Sequence, residues 1–379
     1  MTSELSSLCS YAKGKVSVDT LSKRNYVSTE NMMPNKGGIV DAGALPSAQY
    51  TQQYIKDDIL VSNIRPYFKK IWMADDDGGC SNDVLVFRAD RGCDSTFLYY
   101  ILANDAFFNY ASATSKGTKM PRGDKTAIMQ YKVPCFNYET QLRIGKLLRS
   151  IDDRIAVNKK INDNLQQQLF SLYENMATAS PCLKEYALSN LCDFQEGYVN
   201  PPQIHPEYFD GEVKWLRAVD INESFIIETS RTLTKAGFES AKKSALLFEP
   251  NTIAISKSGT IGRLGIIADY MCGNRAVINI APHDTNMLAF IYCFLKSKQR
   301  EFPDMAVGSV QKNLYVSLLE LLSVSIPDNE SLTAFNAVGA SILGMIHNNC
   351  VENTDLANLR DTILPKPMSG EIDVSSVLL

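Results

Sequence analysis

The sequence predicts an α+β chain: two tandem mixed α/β, β-rich domains separated by two long helices that pair as an antiparallel coiled coil, all related by a pseudo-two-fold internal repeat. Three observations carry this. Landmarks of the first half return in order in the second, each half opens on short apolar runs between turn residues, and each half closes on a long helical stretch with a heptad seam.

The repeat is visible piece by piece. Leu5-Ser6-Ser7-Leu8-Cys9, with Gly14 and Val16 behind it, returns as Leu188-Ser189-Asn190-Leu191-Cys192 with Gly197 and Val199. Tyr26-Val27 corresponds to Trp215-Leu216, Asp58 to Ser62 to Thr252 to Ser256, Cys80-Ser81-Asn82 to Cys272-Gly273-Asn274, Gly117-Thr118 to Gly308-Ser309, and Glu139 to Glu330. The offset moves only from 183 residues (Leu5 to Leu188) to 194 (Ile59 to Ile253), so the copies differ by short loop insertions. A period this long means tandem domains and not a solenoid.

Within each copy, short apolar runs punctuated by Gly, Pro, Asn and Asp read as strands. A helical stretch follows, Thr96 to Phe108 in the first copy and Asn286 to Lys298 in the second, and then the long helix. The expected boundaries are a first β-rich domain over 1–137, a central helix over 138–180, a second β-rich domain over 181–326, a C-terminal helix over 327–367 and a tail over 368–379.

In the central helix Ile144, Leu148, Ile151, Ile155, Asn158, Asn162, Leu165, Leu169, Leu172 and Met176 recur at alternating spacings of 4 and 3. The C-terminal helix repeats the seam less cleanly through Val338, Ile342, Met345 or Ile346, Asn349, Leu356, Leu359 and Ile363. One such stripe would mean only a core-facing helix, but two of equal length in one chain point to pairing with each other. Asn158 matches Asn349 and Asn162 matches Asn353 across the copies, and Asn on a seam fixes register at a cost in stability. A helix from Glu139 to Met176 would run about 57 Å, long enough to hold two domains apart.

With 379 residues, 45% of them hydrophobic, the chain can bury two ordinary cores. It shows no apolar run of about 18 residues and no basic-then-apolar leader, and its nine scattered cysteines form no C-x-x-C pair. These features lead us to expect a cytoplasmic protein with reduced thiols and no metal site. A net charge of -4 counts against nucleic acid, but its distribution softens the objection. Residues 1–137 carry 16 basic and 14 acidic side chains, whereas 327–379 carry 2 and 7. Lys116, Lys119, Arg122, Lys125 and Lys132 against Asp124 make a local +4 around Gly117, Pro121 and Gly123, a loop able to grip phosphates or simply a solvated basic loop.

Several segments carry a family resemblance. Ile59-Leu60-Val61-Ser62-Asn63-Ile64-Arg65-Pro66-Tyr67-Phe68-Lys69-Lys70 and Ile255-Ser256-Lys257-Ser258-Gly259-Thr260-Ile261-Gly262-Arg263 are similar to the two common recognition-domain patterns of the specificity subunits of Type I restriction-modification enzymes. Gly117-Thr118-Lys119-Met120-Pro121-Arg122 resembles a loop of that family, and Pro134, Glu139 and Gln141 resemble the entry to its first spacer; the second spacer has Leu332 in place of the Gln. The resemblance covers nearly the whole chain. It implies a non-catalytic subunit whose two target-recognition domains each read half of a bipartite double-stranded DNA target. It also implies two methylation subunits that use S-adenosylmethionine and two restriction subunits that use ATP and magnesium, with no cofactor in this chain. Polar and basic residues of the matching segments are the expected DNA contacts: Asn63, Arg65, Lys69, Lys70, Lys116, Lys119 and Arg122 in the first domain, and Lys257, Arg263, Arg275, Gln311 and Lys312 in the second.

Other readings are weaker. Asn200-Pro201-Pro202-Gln203 lacks the aromatic that an amino-methyltransferase motif needs, and Ser258-Gly259-Thr260-Ile261-Gly262 lacks the Gly-Lys-Ser/Thr ending of a nucleotide loop. His205, His283 and His347 share no metal or triad spacing, and Asp75-Asp76-Asp77-Gly78-Gly79 reads as a hairpin turn. The rival class is a coiled-coil adaptor that binds proteins only; a shift assay with duplexes of varied sequence separates the two.

Overall fold

A computed structural model describes residues 2–179, 184–308 and 312–363. The chain divides into two units, Met1–Arg154 with Leu356–Leu379 and Ile155–Asp355, so the division falls inside both long helices. The long helices begin at Tyr138 and Asn329, beside the helix starts expected at 138 and 327.

The first unit contains β1 (Thr2–Glu4), β2 (Cys9–Tyr11), β3 (Lys15–Ser17), β4 (Tyr26–Val27), β5 (Tyr50–Tyr54), β6 (Ile59–Ser62), β7 (Ile71–Met73), β8 (Gly78–Cys80) and β9 (Val84–Ala89). Helices α1 (Ser95–Ala103), α2 (Asp105–Ala113) and α3 (Lys125–Met129), strand β10 (Lys132–Pro134) and the start of α4 (Tyr138–Ala179) complete it. An antiparallel sheet of order β2-β9-β6-β7 is its centre. A second sheet, β3-β5-β8-β4, has β4 parallel to β8, and β1 pairs with β10.

Alternation along the central strands feeds two cores. Ile59, Val61, Leu85 and Phe87 face α1, meeting Phe97, Leu98, Ile101 and Leu102, while Leu60, Val84 and Val86 face the second sheet with Val27, Tyr54 and Cys80. The single helix expected from Thr96 to Phe108 is broken at Asn104, whose ψ of 138° is extended and whose side chain caps α2.

The second unit repeats the plan. After the rest of α4 come β11 (Lys184–Ala187), β12 (Cys192–Glu196), β13 (Phe209–Leu216), β14 (Phe225–Ile226), β15 (Thr232–Leu233), α5 (Lys235–Glu239), β16 (Leu247–Phe248), β17 (Ile253–Ser256), β18 (Leu264–Ile267), β19 (Met271–Gly273) and β20 (Val277–Pro282). Then follow α6 (Leu288–Lys298), α7 (Phe302–Met305), α8 (Val316–Glu320), β21 (Ser323–Ile326) and α9 (Asn329–Ile363). The sheet β12-β20-β17-β18-β14 corresponds strand for strand to β2-β9-β6-β7, with β14 added at its edge. Strand β13 runs parallel to β19, through the pairs Trp215–Cys272 and Leu216–Gly273, just as Tyr26–Gly79 and Val27–Cys80 pair in the first copy. Burial again alternates: Ile253, Ile255, Ile278 and Ile280 face α6, and Ala254 and Val277 face the opposite cluster.

The long helices pair antiparallel in each unit. In the second, Asn158 Nδ2 donates to Asn353 Oδ1 at 3.1 Å and Glu352 Oε2 at 2.9 Å, and Asn349 Nδ2 donates to Asn162 Oδ1 at 2.8 Å. Asn158 therefore meets Asn353, and Asn162 meets Asn349, the crossed arrangement that antiparallel copies require. In the first unit Arg360 Nη1 donates to Asp152 Oδ1 at 2.6 Å, and Tyr100 of α1 donates to the other carboxylate oxygen at 2.7 Å.

Ile144, Leu148, Ile151, Asn158, Asn162, Leu169, Ile342 and Ile346 are buried, and Ile155, Leu165, Asn349, Leu356 and Ile363 are half-buried. The seam departs from the expected heptad at Leu172, which is 42% exposed, and at Val338 and Leu359, each 48% exposed; of Met345 and Ile346, it is Ile346 that is buried. A straight helix turns at 3.6 and not 3.5 residues, so the buried stripe drifts off a strict heptad. Tyr173 takes over from Leu172, stacking edge-on against Phe290 and Phe335. In α9 the stripe runs through Phe335, Gly339, Ile342, Leu343 and Ile346. Gly339 is a close approach: a Cβ there would lie 2.6 Å from that of Ala289.

The entry to α4 is capped by Asn137, which accepts from Thr140 N–H at 2.8 Å. Gln141 is buried; it accepts from Asp94 N–H at 3.0 Å and donates to the Phe136 carbonyl at 3.0 Å, locking α4 to the cap of α1. Helix α9, lacking that Gln, starts on an Asp328 cap to Ser331 N–H at 2.9 Å.

Candidate nucleic-acid interface

In the first unit β6 ends at Ser62, and the chain beyond it is pinned to a distant loop. Asn63 N–H donates to Asp83 O at 2.8 Å, Gly123 N–H donates to Asn63 O at 3.1 Å, and Arg65 N–H donates to Pro121 O at 2.8 Å. Lys116 and Arg122 exchange both backbone hydrogen bonds, at 2.8 and 2.9 Å, which closes a tip running from Gly117 to Pro121. Gly117, at φ +95°, supplies the left-handed backbone that this narrow closure requires. Behind the tip Asp124 caps α3 and ion-pairs with Lys116, and these bonds hold its carboxyl below the ordinary range.

The second unit builds the same support. Lys257 N–H donates to Ala276 O at 2.7 Å, Leu314 N–H donates to Lys257 O at 2.9 Å, and Val307 and Asn313 exchange backbone bonds at 3.0 and 2.9 Å. Gln311 lies outside the described residues.

The nominated side chains fall into three groups. Lys116, Lys119, Arg122, Arg275 and Lys312 are exposed, with Arg122 reaching Asp83 at 3.0 Å. Three others, Lys69, Lys70 and Lys257, have side chains engaged inside their domain, and Arg65 joins them through its backbone. Lys69 pairs with Asp105 at 2.7 Å beside Lys36, Lys70 donates to Thr29 O at 2.6 Å and has its pKa lowered by burial, and Arg65 is half-buried at φ +51°. Lys257, its side chain only 15% exposed, pairs with Glu196 at 2.6 Å and lies 5.3 Å from the Tyr315 ring centre. Burial works to raise the Glu196 carboxyl, but hydrogen bonds from Lys257 and Tyr198 outweigh it and hold it low. In the last group Asn63 is buried and its backbone carries the loop, and Arg263 is half-buried at the end of the Ser256 turn.

Two further groups of residues were missed in the sequence. Arg231 stacks on Phe209 at 4.1 Å and donates to Gln203 Oε1 at 3.0 Å, while Arg217 lies 5.5 Å from the Trp215 ring. The β13–β15 pairing brings Arg231 to Phe209, so no local pattern reveals that stack. In the first unit Lys15, Tyr50, Gln52, Asn82 and Lys125 line a cleft of about 330 Å³ between its two sheets. Tyr50 and Gln52 share β5, and the others come from separate segments.

Such surfaces offer ammonium, guanidinium and amide groups, which fit phosphates and base edges. The histidines stand apart: His205 bonds Glu207, His283 bonds Asp193, and His347 packs on Phe225. Burial pushes the Cys80, Cys192, Cys272 and Cys293 thiols up to about 12, far from nucleophilic. Among the described residues no group of three or more His, Cys, Asp or Glu is placed to hold a metal, and no helix is long and apolar enough to cross a membrane.

Two copies of one loop support, each hung from the end of a central strand, define a display scaffold for recognition. The family model for the Type I restriction modification DNA specificity domain matches residues 1–167 and 183–354, and the chain belongs to that family. It is a DNA-recognition subunit without catalytic chemistry of its own. It is similar to the Type I restriction enzyme MjaIX specificity subunit of Methanocaldococcus jannaschii, 23% identical over 76% of this chain and 71% of that one. The HindI specificity subunit of Haemophilus influenzae is 26% identical over 92% of this chain and 94% of that one. In fold the chain resembles the crystal structure of a Type I restriction-modification system S subunit from M. genitalium, with a TM-score of 0.56, 18% identity, and 97% and 96% of the two chains covered.

Proposed function

We propose that the chain reads a bipartite duplex target, one half by the domain over 1–137 and the other by the domain over 181–326, with the helices over 138–180 and 327–367 as spacers. The repeated tip, Lys116 to Arg122 and Val307 to Asn313, is the observation that carries this reading: two related readers suit two separated half-sites on one duplex. Lys119, Arg122, Arg275 and Lys312 are the outermost contacts, and Asn63, Arg65, Lys69, Lys70 and Lys257 set the loops behind them. Gln311 is proposed to act with them from the second domain.

Two methylation subunits and two restriction subunits act with the chain in the cytoplasm and bring the S-adenosylmethionine, ATP and magnesium chemistry. Exposed apolar side chains, Val157, Ile161 and Leu172 along α4 and Val338 and Met345 along α9, favour a helical partner against these helices. Mapping methylated bases in a host with and without the chain tests the reading. One two-part motif that appears only with the chain is the expected result; an uninterrupted motif, or methylation that persists without the chain, overturns it.

A further inference from the structure

Glu223 is a non-glycine residue at φ +63°, a left-handed conformation that a side chain adopts only against steric resistance. Its carbonyl and both carboxylate oxygens are engaged. Its carbonyl accepts from Gln166 of α4 at 3.1 Å and from the buried Tyr292 hydroxyl of α6 at 3.2 Å. One carboxylate oxygen pairs with Lys296 and the other accepts from Gln299 Nε2 at 2.8 Å. The same Gln299 nitrogen donates to Gly262 O at 2.9 Å.

Gly262 is the hinge of the turn that follows β17. It sits at φ +85°, its N–H donates to Ser256 O at 3.0 Å, and a Cβ there would press within 3.0 Å of Phe302. Within the turn Ser256 Oγ accepts from Arg263 N–H at 2.8 Å and donates to the Thr260 carbonyl. Gln299 reaches this turn from outside the hairpin, and through Glu223 it joins the turn to α4. The first unit is built differently: Tyr100, which stands where Tyr292 stands in the repeat, donates to Asp152 of α4 and not to a loop carbonyl.

We propose that Glu223 and Gln299 are positioning residues for target reading by the second domain, holding the Ser256–Arg263 turn in register with the spacer helix. The proposal rests on the reading that this turn faces DNA. Its failure and the failure of that reading are separable by one set of variants in the full chain with its methylation partners: Gln299→Ala, Glu223→Ala, Glu223→Gly, the double Glu223→Ala/Gln299→Ala, and Arg263→Ala.

The readout is the ratio of affinities for the mapped target and for duplexes altered in one half. Gln299→Ala and Glu223→Ala should each lower discrimination in the half read by the second domain about tenfold, and the double variant no further, because coupled residues are not additive. Discrimination in the other half and the salt slope stay fixed. Glu223→Gly supplies the residue that left-handed backbone prefers while removing the carboxylate, so it should lose discrimination as Glu223→Ala does but melt higher than it. If Arg263→Ala lowers discrimination and Gln299→Ala does not, the positioning role is wrong while the turn still reads DNA. If Arg263→Ala changes nothing, the reading of the turn falls and the proposal with it.

Discussion

The two loop tips share a main-chain closure and little else. Lys116-Gly-Thr-Lys-Met-Pro-Arg122 carries three basic residues on its closed ladder, whereas Val307-Gly-Ser-Val-Gln-Lys-Asn313 carries one. Both hang from the first residue after a central strand, Asn63 or Lys257, through its carbonyl. Closure by main-chain bonds means that tip side chains can change without altering the support, so one scaffold presents two different surfaces. The difference also predicts uneven work: the first tip can neutralise phosphates more strongly, while the second relies more on uncharged groups.

The largest effect should come from breaking the pairing of copies. Replacing residues 1–132 with the equivalent segment of a relative is expected to change one half of the target completely and leave the other half intact. Methylation mapping reads both halves together; a change in both would mean that the two domains do not read independently.

A smaller effect should separate the tips by charge. Lys119→Ala with Arg122→Ala removes two cations and should flatten the salt slope of DNA binding by about two, against about one for Lys312→Ala. Both variants should unfold within about 0.5 kcal/mol of the parent, because these side chains are exposed and the Arg122–Asp83 pair is a surface one. Binding titrations from low to moderate salt check this. Equal slopes for all three proteins would place both tips away from the phosphates.

How much of this was legible in the sequence differs between scaffold and surface. Strand alternation, helix length and the order of landmarks are local properties, so the central sheets, the repeat and most of the seam could be read directly. Leu172, Val338 and Leu359 fall outside the buried stripe because the heptad template ignores the drift of a straight helix. Side chains of the site were harder. Asn63 and Lys257 occupy matching positions, yet their burial depends on a loop about 55 residues further on, and the engagement of Lys69 depends on where α2 begins. The Arg231–Phe209 stack and the Glu223–Gln299 link come from tertiary proximity alone, and nothing in their spacing announces them.

The smallest expected effect concerns the carboxylates that hold the inner lysines, Asp105 with Lys36 and Lys69 in the first unit and Glu196 with Lys257 in the second. Burial pushes both carboxyls upward, yet the hydrogen bonds prevail and each is held below its ordinary value. A carboxyl lowered in the folded state contributes stability that is complete above its unfolded value, about 4, and lost as pH falls through the lower folded value. Melting curves between pH 3 and 7 should therefore fall less steeply on the acid side for Asp105→Asn and Glu196→Gln than for the parent. The Asp105 side chain is 55% exposed and solvent screens it, so its share should be a few tenths of a kcal/mol at most. Glu196, at 22%, should show the larger change. Acid limbs parallel to the parent in both variants would mean that these pairs position the lysines without stabilising either domain.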